Sequence, residues 1–514
     1  MIMGAKSNFN NIMYKDYEIL QAKLDKVLNE LSNIRSEHKK EIKELKNKFQ
    51  LEIYNLNLVN NKLVKELETA NKLITKLVTE NEKLKNQINK NSSNSSKPSS
   101  TNKTNPKTKT GANLYNGREK TNKKVGGQVG HKGHNLSKEK IEKLINNKKI
   151  KVITIKHRIN GNKNTNLVKY RLGIKILPYV EKHIFIYDAK SKEKLPKEFY
   201  TDVTYDNSIK SLSIELGAYN VISYDRLSDF FNVITSGIID ISNGTLVNFL
   251  KEFSYKSNET LVNIENDILN SIIINTDETS TKLNGKNMHV RNYSNEKSVL
   301  YKAHKNKGHN PIEEDNILPR FLGGIMGDHD TTLYKYGTKN YECNIHLGRY
   351  LEEIIQNVNY VLWPTKLKDL LFRMNNTKKL AISYGLENFS KEKIIEYEQE
   401  FDNILNKAYE ENLTITSSFY KDKANKLYRR VKKYKENHLY FIKDFNVDFD
   451  NNRSEQDLRL FKIKTKISGG FRSLSLATDY TNTLSIIKTA IKRNINPYDA
   501  ISAIFNNQVL FELN

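Results

Sequence analysis

The sequence predicts a multidomain α+β protein, with an N-terminal coiled coil, a helix-turn-helix-like region and an α/β domain interrupted by a long helical segment. Three observations predict it. A heptad seam occupies residues 49–88, two apolar runs each end in an aspartate, and 127 residues (455 minus 328) separate the second aspartate from a downstream glutamate. A chain of 514 residues has room for several structural units and a large core. Its 84 Lys+Arg against 59 Asp+Glu leave a formal net charge of +25. That excess favours nucleic acid over an acidic protein as partner, because Lys and Arg neutralise phosphates whatever the base sequence. The single cysteine, Cys343, excludes an intrachain disulfide framework and a multi-cysteine zinc module, and fits a reducing compartment. No run approaches the roughly 18 apolar residues of a membrane span, and MIMGAKSNFN lacks the apolar centre of a signal peptide. A cytoplasmic protein without membrane partners is therefore expected.

Residues 14–90 read as a dimerising coiled coil. Phe49, Ile53, Leu56, Leu63, Leu67, Ala70, Ile74, Leu77, Leu84 and Ile88 alternate in steps of four and three. The gaps are Asn60 and Asn81 at a positions, where a buried Asn lowers stability but selects register and two strands. An earlier seam, Leu24, Val27, Leu31 and Ile34, is displaced by one residue, which predicts a break between about 35 and 48.

Residues 91–135 read as a disordered basic linker, since residues 91–134 hold nine Lys/Arg against one acid, Glu119; it is either a solvated spacer or a tether that settles along DNA phosphates, with Lys120, Lys123 and Lys124 as candidate DNA contacts. The alternation in KVITIKHRI and KHIFIYD predicts a small β-rich module over 136–200. Residues 201–265 carry three short helical patterns, with caps at Ser223 and Ser242 and a turn at Gly237. That spacing suits a helix-turn-helix, with Asn243, Thr245 and Asn248 on the helix that would enter a major groove, although ordinary helical bundles share it.

Residues 266–340 with 440–490 form the expected α/β domain. The run SIIIN leads into TDETS, and turn signals at Asn284-Gly285 and Asn295 divide the chain from this run onward into a three-strand meander. After a short helix near 311–319, FLGGIMG ends at Asp328. Two such strands side by side would bring Asp277 and Asp328 within a few ångströms, a repulsion that a divalent cation relieves. Taken singly, each is an ordinary turn aspartate. Glu278 points to the opposite strand face, toward solvent or behind the ligands. Downstream, Asn452 and Glu455 have capping-box spacing, which is the bland reading of that glutamate. Arg453, Arg459, Lys462, Lys464, Lys466 and Arg472 crowd positive charge around it, as a phosphodiester site requires. Residues 341–439 are helix-patterned and 491–514 predict a C-terminal helix. Cys343 and His346 form a C-x-x-H without a second pair, which points to a buried structural role, and the lone Trp363 reads as core.

The motifs together resemble the transposases of the IS66 insertion-sequence family: NSSNSSKPSS and GGQVGHKGH, ISNGTLVNF, TDET, GDHD followed by YECNIHLGRYL, and NNRSEQDLR with KISGGFRS. The resemblance implies an RNase H-like catalytic domain with a helical insertion. It also implies Asp277, Asp328 and Glu455 as a DDE triad binding two Mg²⁺ (or Mn²⁺), with Asp330 as the weaker alternative to Asp328. The partners it implies are transposon ends and target DNA, the activity strand cleavage followed by strand transfer, and the setting a bacterial nucleoid. Such sequences commonly carry a cysteine-rich zinc stretch, whereas residues 135–205 here contain no cysteine, so no zinc is expected. The alternatives are a non-catalytic DNA-binding coiled-coil regulator descended from a transposase, and an RNase H-like nuclease that cuts without joining.

Overall fold

The computed structural model describes residues 3–91, 94–95, 137–155, 168–174, 176–185, 194 and 199–512. They fall into two compact units, 1–89 and 90–514. The first is one uninterrupted helix, α1 (Met3–Asn89). The break expected between 35 and 48 is absent. A one-residue displacement turns the seam by about 100° around an intact helix, and no glycine or proline lies between Gly4 and Pro98 to interrupt it. The seam side chains are exposed, Leu56 by 68% and Leu67 by 62%.

In the second unit, α2 (Lys138–Asn146) begins at a Ser137 cap. The strands expected over 136–200 do not form among the described residues of that segment, and the rest of it, like most of the basic linker, lies outside them. Alternation alone gives a strand no partner edge, and isolated strands are not stable.

Four helices follow: α3 (Asn207–Ile214), continued by one π turn, α4 (Tyr224–Ile234), α5 (Asn243–Lys256) and α6 (Asn258–Leu269). The meander is present as β1 (Ile273–Leu283), β2 (Lys286–Ser294) and β3 (Val299–His304). Asn284 and Gly285 between the first two have φ 47° and 77°, the two left-handed residues that a tight hairpin of this hand demands. After α7 (His309–Asp315) come β4 (Gly324–Gly327) and β5 (Lys339–Glu342), and the sheet order is β3-β2-β1-β4-β5. The meander is antiparallel, while β4 runs parallel to β1 and β5 parallel to β4.

The segment between the acidic residues is helical: α8 (Asn344–Asn357), α9 (Trp363–Ser383), α10 (Lys391–Leu413), α11 (Ser418–Lys433) and α12 (Lys435–Lys443). These helices share a core that contains Trp363, whose indole donates to Asn412 Oδ1 at 2.9 Å. The chain then returns to the sheet through α13 (Asn452–Ser468), α14 (Leu474–Lys492) and α15 (Pro497–Phe505). Alternation along the strands joins the two cores: Ile274 and Ile325 belong to the sheet core, whereas Met326 belongs to the helical one and Ile273 packs against it.

Candidate active site

Asp277 lies within β1, and Asp328 is the first residue after β4. The parallel register pairs Ile273 with Gly324 and Asn275 with Met326. Continued by two residues, it sets Asp277 level with Asp328, and the period of two turns both toward the same face. The Asp277 amide donates to Asn292 Oδ1 at 3.1 Å, while Asp277 Oδ1 accepts from the Glu278 amide at 2.7 Å. Burial, then the Asp328 charge, push the Asp277 carboxyl up to about 6; Lys462 pulls the other way and Glu455 adds to the rise. Asp328 Oδ1 is buried with no partner in hydrogen-bonding geometry, and His346 Nδ1 stands 3.3 Å from it.

Glu455 reaches the same place from the first turn of α13. The capping box is not formed: the helix caps at Asn451 without a side-chain cap bond, and Asn452 is already helical. Asn451 is used elsewhere. Its side-chain amide donates to the Thr276 carbonyl at 2.8 Å and its Oδ1 accepts from Asn275 at 3.1 Å, fastening the start of α13 to β1. Ser454 donates to Asn292 Oδ1 at 2.6 Å, and Asn292 donates to the Ser454 carbonyl at 3.1 Å. All four side chains are buried, so every polar atom left unpaired there would carry a large cost. With its carboxylate released from capping, Glu455 lies 3.9 Å from His346 Nδ1.

Cys343 immediately precedes α8 and His346 is in its first turn. Both are buried, as the structural reading expects, but they also line the carboxylates. His346 Nδ1 is 3.3 Å from Cys343 Sγ, which accepts from the Asn451 amide at 3.3 Å. Burial opposes charge on His346, yet the Cys343 sulfur and Asp328 carboxylate push its pKa up to about 12. Burial itself pushes the Cys343 thiol up.

Residues 204–479, 276 of the 514, match the family described as Transposase IS66 family. The chain belongs to the IS66 transposase family. No curated protein matches it. The IS66 match begins before α3 and ends within α14, so it takes in all five strands, the three carboxylates and the helical segment between them.

Within the IS66 region, Glu455, Arg459, Lys462 and Lys466 follow one another by four, three and four residues, so one face of α13 carries the carboxylate and then three exposed cations. Arg472 is exposed beside the β1–β2 turn, its carbonyl accepting from Asn284. Gly470, at φ 138°, lets that segment approach so closely that a Cβ would stand 2.3 Å from the Lys282 carbonyl. Lys464 is a correction: it is buried, with its ammonium over the Tyr224 and Tyr480 rings, and offers DNA no contact. On a helix, position 464 falls between the exposed faces, which counting charges along the segment does not reveal.

Two acids have structural partners. Asp330 accepts from the Thr332 amide and hydroxyl and pairs with Arg291 at 3.1 Å. Glu278 does point away from Asp277, but not to solvent: its side chain is 8% exposed, held by Arg291 at 2.8 Å and His289 at 3.1 Å. In the helices before the sheet, Asn248 is exposed, the Asn243 amide donates to Asp225, and the Thr245 hydroxyl pairs with Ser242. Lys120, Lys123 and Lys124 lie outside the described residues. Sequence reasoning missed Asn275, Asn292, Asn451 and Ser454; the adjacent NN of NNRSEQ was the available signal, read there as a cap.

Proposed function

We propose that the protein cuts DNA at transposon ends and joins the freed ends to target DNA, with Asp277, Asp328 and Glu455 holding two Mg²⁺ (or Mn²⁺). The observation that carries the reading is the convergence of three carboxylates from β1, the end of β4 and α13, where burial and the neighbouring Asp328 charge raise the Asp277 carboxyl above its ordinary range. The donor set fits a hard divalent cation, since Asp328 Oδ1 is buried with a lone pair that no hydrogen bond uses. An antiparallel meander extended by parallel β4 and β5 supports an RNase H-like domain, with α8 to α12 as its insertion.

The chain's residues divide the work. Asp277 and Asp328 present anionic oxygens from rigid strands, and the Asn451 and Asn292 bonds hold α13 so that Glu455 completes the set. Arg459, Lys462 and Lys466 line the helix face that continues from it and bind successive phosphates, keeping the scissile one at the carboxylates. His346 Nδ1, 3.3 Å from Asp328 and 3.9 Å from Glu455, stands between these two carboxylates. Ions bound there would activate water, or later a 3′-hydroxyl, and stabilise the leaving oxygen. The α4–α5 pair is proposed to read the ends, with Asn248 the most available reader, and α1 to join two copies through its exposed seam.

Alanine at Asp277, Asp328 or Glu455 is expected to reduce end cleavage and strand transfer to background while end binding, carried by Lys and Arg, stays near wild type. Asp330→Ala is expected to retain cleavage. Loss with Asp330→Ala and retention with Asp328→Ala would move the assignment, and cleavage by all three triad variants would defeat it. Cleavage without joining by the wild type would leave a nuclease.

A further inference from the structure

Behind Asp328 lies a second cluster that the proposed reaction does not use. His329 follows Asp328, Glu342 ends β5, and His438 lies in α12. One ring nitrogen of each histidine and one Glu342 oxygen lie within 4.8 Å of one another. The His329 and Glu342 side chains are 4% and 3% exposed, and His438 is 1% exposed.

Hydrogen bonding selects the ring protons. His438 Nδ1 is 3.0 Å from Asn344 Oδ1, and the Asn344 amide nitrogen donates to the His438 carbonyl at 3.0 Å. Oδ1 is therefore the acceptor, Nδ1 carries the proton, and Nε2 is a buried lone pair without a partner among the described residues. His329 Nε2 lies 3.0 Å from Glu342 Oε2 and 3.1 Å from the Cys343 carbonyl, so it is Nε2 that faces the cluster, while Nδ1 is buried without a hydrogen bond. Glu342 Oε1 accepts from Tyr334 and from Arg430 at 2.7 Å, while Oε2 faces His329 Nε2 at 3.0 Å outside hydrogen-bonding geometry. His438 Nε2 and Glu342 Oε2 thus keep electron pairs that no hydrogen bond uses, beside His329 Nε2 in one buried place, and these two residues are steadied by bonds on their other polar atoms. Protein metal ligands are held in that way.

We propose that His329, Glu342 and His438 supply three of the four ligands of a Zn²⁺, separate from the ions proposed for the three carboxylates. Two imidazoles and one carboxylate suit zinc, whereas Mg²⁺ takes oxygen ligands. The ion would clip the end of β4 to β5 and to α12, tying the helical segment to the sheet. It would also hold His329, whose φ of 63° is unusual for a residue with a Cβ, directly after Asp328. His329 is then a positioning residue for that aspartate. The expectation of no zinc rested on absent cysteines; ligands 13 and 96 residues apart (342 minus 329, 438 minus 342) leave no spacing motif.

The full chain, purified without chelator and dialysed against metal-free buffer, is expected to retain one zinc per chain by elemental analysis. Glu342→Gln and His438→Gln are expected to lose it and Cys343→Ser to keep it. Co²⁺ replacing the zinc in the wild type should give the visible bands of a low-coordinate nitrogen–oxygen site without a sulfur-to-metal charge-transfer band, a reading that needs no variant to fold. Absence of stoichiometric zinc, zinc persisting in His438→Gln, or a sulfur charge-transfer band that vanishes in Cys343→Ser would each overturn the proposal, the last in favour of Asp328, Cys343 and His346. None of these readouts depends on DNA cleavage.

Discussion

Helix α1 and the carboxylate end of the sheet invert the usual partition of a protein in opposite senses. Along α1 the apolar seam lies outside, with Leu63 exposed by 56% and Leu84 by 58%. At the ends of β1 and β4 charged and polar groups lie inside, among them Asn275, Asn292, Asn451, His346 and the unsatisfied oxygen of Asp328. An exposed apolar stripe costs solvation and a buried charge costs more, so neither arrangement is stable without compensation. The two ask for different completions: a long apolar stripe at heptad spacing is met by another helix, and crowded anions are met by cations. A single folded chain can therefore hold two incomplete surfaces, and their chemistry separates the proposed assembly from the proposed catalysis.

The sharpest break would come at assembly. Removing residues 1–89 is expected to convert a dimer into a monomer in sedimentation, and a dimer that persisted would remove α1 from that role. In the whole chain, Asn60→Ile with Asn81→Ile should raise the stability of the assembly and loosen its choice of oligomer. Next in size is the charge inside. Asp277 rises from 3.8 to about 6, so its contribution to stability in metal-free buffer is full below about pH 4 and lost as pH rises through about 6. Asp277→Asn should therefore stabilise the metal-free protein at pH 7 by up to about 3 kcal/mol, at about 1.4 kcal/mol per pH unit, with little gain at pH 4. Added Mg²⁺ should stabilise the wild type and not the variant in urea unfolding; an equal response in both would break the inside-charge half of the contrast. The smallest effects belong to the α13 face. Alanine at Arg459, Lys462 or Lys466 should each reduce the salt slope of DNA binding by up to about one unit, whereas Lys464→Met should leave it unchanged. A slope that fell equally with Lys464→Met would mean that burial does not sort these lysines.

What was legible in the sequence was local. The Asn284-Gly285 hairpin, the apolar runs before Asp277 and Asp328, and the helical pattern over 341–439 depend on neighbours a few residues apart, and each corresponds to an element. Glu455 was legible as a candidate, but what frees it was not, because Asn451 meets Asn275 across 176 residues of chain. A buried asparagine and a loop asparagine have the same letter. The predicted break in α1 confused a change of seam phase with a change of backbone, and the strands expected over 136–200, which do not form among the described residues of that segment, rested on an alternation without a partner edge. Lys464 was misjudged, and the two settings left open for Glu278 were not separable, because exposure depends on which helix packs where: Tyr224 from α4 and Tyr480 from α14 cover the one, and Arg291 from β2 holds the other.

The last two helices have a consequence for synthesis. Ala477, Tyr480, Leu484 and Ile487 of α14 and Ile501, Ile504 and Phe505 of α15 belong to the same core as Ile274 and Val290 of the sheet. Asn207, at the start of α3, donates to the Phe505 carbonyl at 3.3 Å. A ribosome that has finished β1 to β5 has therefore made the whole five-stranded sheet but not the wall against which it packs, and the nascent sheet must wait, with its apolar faces bare, for residues 474–505. Chains stalled or cut short before α14 should be recognised by chaperones and proteases as unfinished, so only a fully translated chain would reach DNA with its acidic residues in place.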